Sequence, residues 1–375
     1  IYDPKYVDSF EVDGWFFAPQ MRKAHANGNM AYIPNHLHLA CTKRLQFVKP
    51  NIYVGAASMP DKHGYVSLSL SNTYEKRMLE AADLVILEVN PNMPYTLGDL
   101  QVPVSEVDYL VRADYAPPVI PDAPFSEKDA AIGKLIAEMV PDGSCIQLGI
   151  GGIPNAVAAA LEQKNDLGVH TEMLTSGMMR LAKMGVINGK CKQTYRGKMV
   201  TTFAMGVPEL YEFIDYNPAV AVMDGAWVND PYVIAQNDNQ VSINTSLEVD
   251  LTGQCASESL GSRQFSGTGG QSDTAVGAQM SKNGKSIIAL YSTAMVKGPD
   301  GQKQEVSKIV PQLMPGAAVS LSRNDVDRVV TEYGVAELRG TSIRDRVARL
   351  IEIAHPKFRE QLWDQAVEVG ILGRR

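Results

Sequence analysis

Cysteine is scarce: the 375 residues hold four, at 41, 145, 191 and 255, and no CxxC pair. That spacing offers neither a zinc site nor a disulfide framework and fits free thiols in a reducing compartment. Positive charge is also short. There are 35 Lys and Arg against 42 Asp and Glu, a net charge of −7 and a pI of about 5.5. A general nucleic-acid surface needs clustered Lys and Arg, so no nucleic-acid partner is expected. An anionic ligand stays open, because helix N-termini and bare backbone N–H groups bind anions locally. No apolar run is long enough to span a bilayer, no secretory pattern is read at the start, and no repeat or low-complexity tract occurs. These absences read as a cytoplasmic protein without a membrane partner. The chain opens on Ile1, in IYDPKYVDSF, and further residues upstream of it are expected.

What is present is an ordinary globular composition, 45% hydrophobic and 21% charged. The length points to two domains. The seam is the stretch 113–129, ADYAPPVIPDAPFSEKD, where Pro117, Pro118, Pro121 and Pro124 exclude both helix interior and central strand. It divides the chain into residues 1–120 and 125–375. Before it, 51–57 and 84–89 read as buried strands with a helix over 73–82 between them. After it, Ser126 with Asp129 three residues on opens a helix over 129–139. Strands follow at 199–203, 220–223, 286–291 and 329–332, with helices at 344–353 and 358–369. Strands alternating with helices predict α/β architecture: two open α/β/α domains with mostly parallel sheets and the active site in the cleft between them.

The most informative segment is Ser144 to Met179. An apolar run, 145–148, opens into a glycine turn, Gly149–Gly152. A helical stretch, 155–161, and a second run, 167–170, lead to a lone carboxylate, Glu172. This is a βαβ unit, which gathers binding groups at the carboxyl ends of parallel strands. A carboxylate close to bare N–H donors suits acyl transfer, in which a nucleophile attacks a carbonyl and an oxyanion needs donors.

Each candidate has a plainer reading. Glycines 149–152 also suit a tight strand-to-helix turn. A dinucleotide fingerprint is disfavoured, because Pro154 stands at the third glycine and no ribose-binding acid is suitably spaced. Glu248 in LEVDL is the rival carboxylate, read with Asp250 as a structural or substrate-side group on one strand face. Gly267–Gln271, with Asp273, is either a second functional glycine loop or a surface loop. His36 and His38, two apart on a presumed strand, lack a third metal ligand. His170 reads as packing, and Lys297, in a presumed loop, as a solvated lysine.

Four motifs in order, QLGIGGIPNAV, GVHTEM, NTSLEVDLTGQ and RQFSGTGGQSD, with the ending GVAELRG…RVARLIEIAHPKFR, carry a family likeness. The chain resembles the acetyl-CoA hydrolase/transferase branch of the family I coenzyme A transferases, and within it the 4-hydroxybutyrate and butyryl-CoA:acetate CoA-transferase group. The resemblance implies Glu172 as the nucleophile of a ping-pong reaction through a glutamyl-CoA thioester. It assigns Gln147, Leu148, Gly149, Ile150 and Gly151 to holding coenzyme A and the thioester oxygen. It places a CoA-contacting backbone near Leu247. It assigns Gly267, Gly269, Gly270 and Gln271 to the pantetheine side and the oxyanion, although Thr274 stands where a hydrophobic residue is usual. A Cβ at Gly149 or Gly270 is expected to obstruct CoA and to strain a backbone with φ > 0. Acyl-CoA and small carboxylates are the implied partners, in a homodimer or homotetramer. Neither metal nor redox cofactor is implied, coenzyme A being a substrate and transient adduct. An acyl-CoA hydrolase on the same scaffold and a non-catalytic acyl-CoA-binding regulator are the alternatives.

Overall fold

Parallel strands joined by helices dominate the computed structural model, which describes residues 1–298 and 301–373. The chain forms two compact units, each assembled from separated stretches. One comprises residues 37–243 and 276–285, the other 1–36, 244–275 and 286–375. The proline-rich seam lies inside the first of these. The units therefore do not follow a single cut at 120–125.

In the first unit, the strand Leu84–Val89 pairs in parallel with Ile52–Ala57 on one side and Tyr109–Arg112 on the other. Its alternate residues Val85, Leu87 and Val89 are buried, as period-two alternation requires of a half-covered sheet. A second sheet places Cys145–Leu148 between Gly168–Val169 and Gln240–Thr245, all parallel. All four residues of Cys145–Leu148, the polar Gln147 included, are buried, so the strand lacks the in-and-out burial of a half-covered sheet.

The helix Glu127–Glu138 feeds that strand. Ser126 caps it through a capping box with Asp129. The helix Gly152–Ala160 follows the strand, beginning three residues before Asn155 because Pro154 falls in the first turn, where no N–H is missed. A Cβ on Gly133 would stand 2.8 Å from the Ala156 backbone, so these two helices approach as closely as glycine permits.

In the second unit, Lys285–Ala289 pairs in parallel with Arg328–Thr331, which turns back antiparallel onto Gly334–Glu337. The amphipathic helix Ile343–Ile353 buries Val347, Leu350 and Ile351 in a core with Ile288, Leu290 and Val329. Glu248–Asp250 pairs with Cys255–Ala256 and Ile309–Val310. Lys297 is not in a loop: it ends the strand Thr293–Lys297, paired antiparallel with Lys303–Ser307. His38 lies in a single 3₁₀ turn, Leu37–Leu39, so the two histidines do not share a strand face. Among the described residues no helix is long and apolar enough to cross a membrane, and no three His, Cys, Asp or Glu side chains gather as metal ligands would.

Candidate functional site

Register brings the glycine turn and Glu172 to one edge of the same sheet. Ile146 pairs with Val169, so Gly149 and Glu172 each stand three residues beyond a paired position on neighbouring parallel strands. The turn is unencumbered. A Cβ at Gly149 would meet nothing nearer than the Pro154 ring at 4.0 Å, and one at Gly151 nothing within 4 Å. The positive φ expected at Gly149 is found instead at Gly151, with φ 113° and ψ −174°, a region essentially reserved for glycine. Gly151 is the N-cap of the helix Gly152–Ala160 and has no side chain of its own to offer the first N–H groups. A Cβ at Gly152 would press to 2.9 Å on the Asp129 carboxylate. Gln147 and Leu148 are buried, whereas Ile150 is exposed. The Gln147 Oε1 accepts from Ser242 Oγ at 3.0 Å and Ile243 N at 3.1 Å, which ties this side chain to the adjacent strand.

Glu172 is half-buried, just before the strand Met173–Leu174. Its backbone carbonyl accepts from Thr202 N at 3.0 Å, Phe203 N at 3.1 Å and Thr201 Oγ1 at 3.0 Å. Three donors on one carbonyl fix the main chain from which the carboxylate projects. The carboxylate itself accepts at Oε2 from Asn229 Nδ2, 3.1 Å away. Nothing in the motifs around Glu172 points to Asn229. It is fully buried at the junction of two one-turn helices, Gly225–Val228 and Pro231–Ile234, capped by Asp224 and Asp230. The two Asx caps in DGAWVNDP were the available signal.

Around Glu172 the support is polar and buried. The Lys192 ammonium donates to Val169 O at 2.7 Å and Lys198 O at 2.8 Å, and burial lowers its pKa to about 8. His170 is core packing, its ring beside Trp227 and its Nε2 2.7 Å from Val228 O.

The remaining candidates lie in the other unit. Leu247 donates its N–H to Ala256 O at 3.0 Å. The Gln271 side chain donates to Thr245 O at 2.8 Å, joining the second glycine loop to the stretch that precedes Leu247. A Cβ at Gly267 would stand 2.6 Å from Trp15 O and 3.1 Å from Phe16 Cα. Positive φ falls at Gly269 (55°) and not at Gly270. Asp273 is buried, 3.7 Å from the His36 Nδ1, and Asn244 Nδ2 donates to Thr274 Oγ1 at 3.0 Å. The threonine thus serves a hydrogen bond where a hydrophobic residue was anticipated. The Glu248 Oε1 accepts from Met314 N at 2.8 Å, and Asp250 accepts from both Thr252 and Gln254 within its own turn. Asp250 is therefore a turn former.

The chain is similar to proteins of one family. A model described as the acetyl-CoA hydrolase/transferase N-terminal domain matches residues 2–121, and its C-terminal counterpart matches 206–366. A succinyl-CoA:cyclohexane-1-carboxylate CoA transferase of Geobacter metallireducens is 44% identical over 95% of this chain and 80% of its own. A 4-hydroxybutyrate coenzyme A transferase of Clostridium kluyveri is 50% identical over 82% of this chain and 70% of its own. The crystal structure of RipA from Yersinia pestis superposes with a TM-score of 0.90 at 35% identity, over 99% of this chain and 84% of that one. Glu172 and the first glycine turn lie between the two stretches matched by the family models.

Proposed function

The chain belongs to the acetyl-CoA hydrolase/transferase family, and on that premise we propose that it moves coenzyme A from a short-chain acyl-CoA, butyryl or 4-hydroxybutyryl, to a small carboxylate such as acetate. In this reading Glu172 is the nucleophile. Its carboxylate attacks the thioester carbonyl, the C–S bond breaks, and an acyl-glutamyl anhydride forms as CoA thiolate leaves. The thiolate then attacks the glutamyl carbonyl. The acyl carboxylate departs, and CoA remains on Glu172 as a thioester. Acetate reverses both steps and leaves as acetyl-CoA. Every step is a substitution at a carbonyl with no change of oxidation state, so the cycle calls on no redox cofactor.

The observation that carries the reading is the mounting of Glu172: a half-buried carboxylate whose main chain is pinned by three donors and whose Oε2 is held by Asn229. A carboxylate is a weak nucleophile, and holding it in attack geometry is what such mounting does for the rate. The Asn229 amide also suits the glutamyl carbonyl of the anhydride and thioester, where negative charge gathers during attack. The open turn at 149–151 leaves room for the CoA backbone, and Gly267–Gln271 with Leu247 is assigned to its pantetheine arm. The enzyme is read as a homodimer or homotetramer, so light scattering is expected to exceed the 40.8 kDa of one chain.

The test is a covalent one. Butyryl-CoA without acceptor should leave CoA on Glu172, and borohydride or hydroxylamine should then inactivate the enzyme only after that exposure. Peptide mapping that finds the adduct on another residue would overturn the reading. Parallel double-reciprocal lines for the two substrates are expected of the ping-pong cycle.

A further inference from the structure

His170 stands two residues before Glu172 and is buried, with its Nε2 2.7 Å from the carbonyl oxygen of Val228. A carbonyl only accepts, so Nε2 carries the hydrogen and the ring is held as one tautomer. Val228 ends the one-turn helix Gly225–Val228, and carbonyls at a helix C-terminus have no partner within it. The next residue is Asn229, whose Nδ2 donates to Glu172 Oε2 at 3.1 Å. The bonds close a loop: the His170 ring to the Val228 peptide, the Asn229 amide to the Glu172 carboxylate, and back through Thr171. The His170 main chain is itself fixed at both its N–H and its carbonyl. The His170 N–H donates to Ile146 O at 3.3 Å, and its carbonyl accepts from Gln240 Nε2 at 3.1 Å.

We infer that His170 is a positioning residue for the transfer reaction: by holding the Val228 carbonyl it sets where Asn229 presents its amide, and so the direction in which Glu172 attacks. The inference rests on Glu172 being the nucleophile. The ring has no second duty in the site. Its Nδ1 has no hydrogen-bond partner, and burial pushes the imidazole pKa down to about 4, so it stays neutral at neutral pH and moves no proton.

Three variants and one control test this with butyryl-CoA and acetate. Glutamine places an amide N–H near the position of Nε2, asparagine is too short to reach, and phenylalanine fills the space without a donor. H170N and H170F are expected to lose roughly 10–100-fold in kcat, as small misplacements of reacting groups do, with the butyryl-CoA KM changed less than about 3-fold. The borohydride-sensitive adduct should form more slowly by the same factor, and H170Q should stay within about 5-fold of the parent enzyme. If H170F does not fold, the asparagine and glutamine pair decides. Equal kcat in that pair, or a loss confined to melting temperature and KM, overturns the inference and leaves His170 as a helix-end cap. Near-normal transfer by E172Q would instead overturn the reading of Glu172, an outcome that does not depend on His170.

Discussion

At Gly149 and Gly151 an added Cβ would meet nothing nearer than 4.0 Å, whereas at Gly267 it would stand 2.6 Å from the Trp15 carbonyl. The two glycine segments look alike as text. In one, glycine leaves backbone uncovered and, at Gly151, permits φ 113°. In the other, Gly267 lets a neighbouring main chain approach. The first use creates room for a ligand; the second creates close packing. Each unit also carries a glutamate on a short strand or at its edge. Glu172 is held at the carboxylate by one side-chain amide, while Glu248 accepts the backbone N–H of Met314. A glycine loop beside a carboxylate is therefore not one motif used twice.

The sharpest way to break this comparison is to neutralise both glutamates. E172Q keeps the shape and the reach toward Asn229 but removes the attacking oxygen, so transfer should fall by about 1,000-fold or more, comparable to losing a catalytic nucleophile. E248Q should cost less than about 10-fold, through a weakened bond to Met314. Similar losses in initial-rate assays would show that the two carboxylates share the chemistry.

The glycines give the next largest contrast. G267A forces a methyl against backbone and should destabilise by about 1–3 kcal/mol, read as a shift in denaturant midpoint. G151A meets no atom but must hold a conformation nearly closed to other residues, at a cost of about 1–3 kcal/mol. G149A has neither problem and should change stability by less than about 0.5 kcal/mol while raising the acyl-CoA KM. An unchanged KM in G149A would place coenzyme A away from this turn.

Strong local signals made much of the fold legible. The strands Leu84–Val89 and Cys145–Leu148 have the bounds their apolar runs predict, and the Ser126–Asp129 capping box opens its helix. The helix after the glycine turn begins three residues before the expected Asn155, because it runs through Pro154 and a first-turn proline continues a helix. Asn229 escaped altogether. It lies 57 residues from Glu172 along the chain, and no periodicity links a buried amide to a carboxylate that only the tertiary fold brings within 3.1 Å. The close approach at Gly267 is equally a tertiary fact, since its partner is Trp15. Lys297 looked like loop because Gly298 and Pro299 follow it, yet it pairs with Lys303 across an antiparallel hairpin.

The effect hardest to isolate is a pH dependence from the strand edge that carries Glu172. Burial depresses the His170 pKa to about 4, against an ordinary value of 6.5. Between those values the unfolded chain binds a proton that the folded chain refuses, so stability rises with pH across the window. The contribution is whole above about pH 6.5 and is lost as pH falls toward 4, with a slope of up to about 1.4 kcal/mol per unit. By pH 5 the loss is about 1–2 kcal/mol. Carboxylates titrate in the same range, so the measurable quantity is the difference between the parent enzyme and H170Q. Glutamine keeps the bond to Val228 but has no proton to gain. Urea midpoints at pH 7 and pH 5 should therefore fall further for the parent than for H170Q, by an amount worth about 1–2 kcal/mol. Equal falls would mean that the imidazole takes up its proton without leaving the fold, and that the ring is less enclosed than its contacts with Val228 and Trp227 imply.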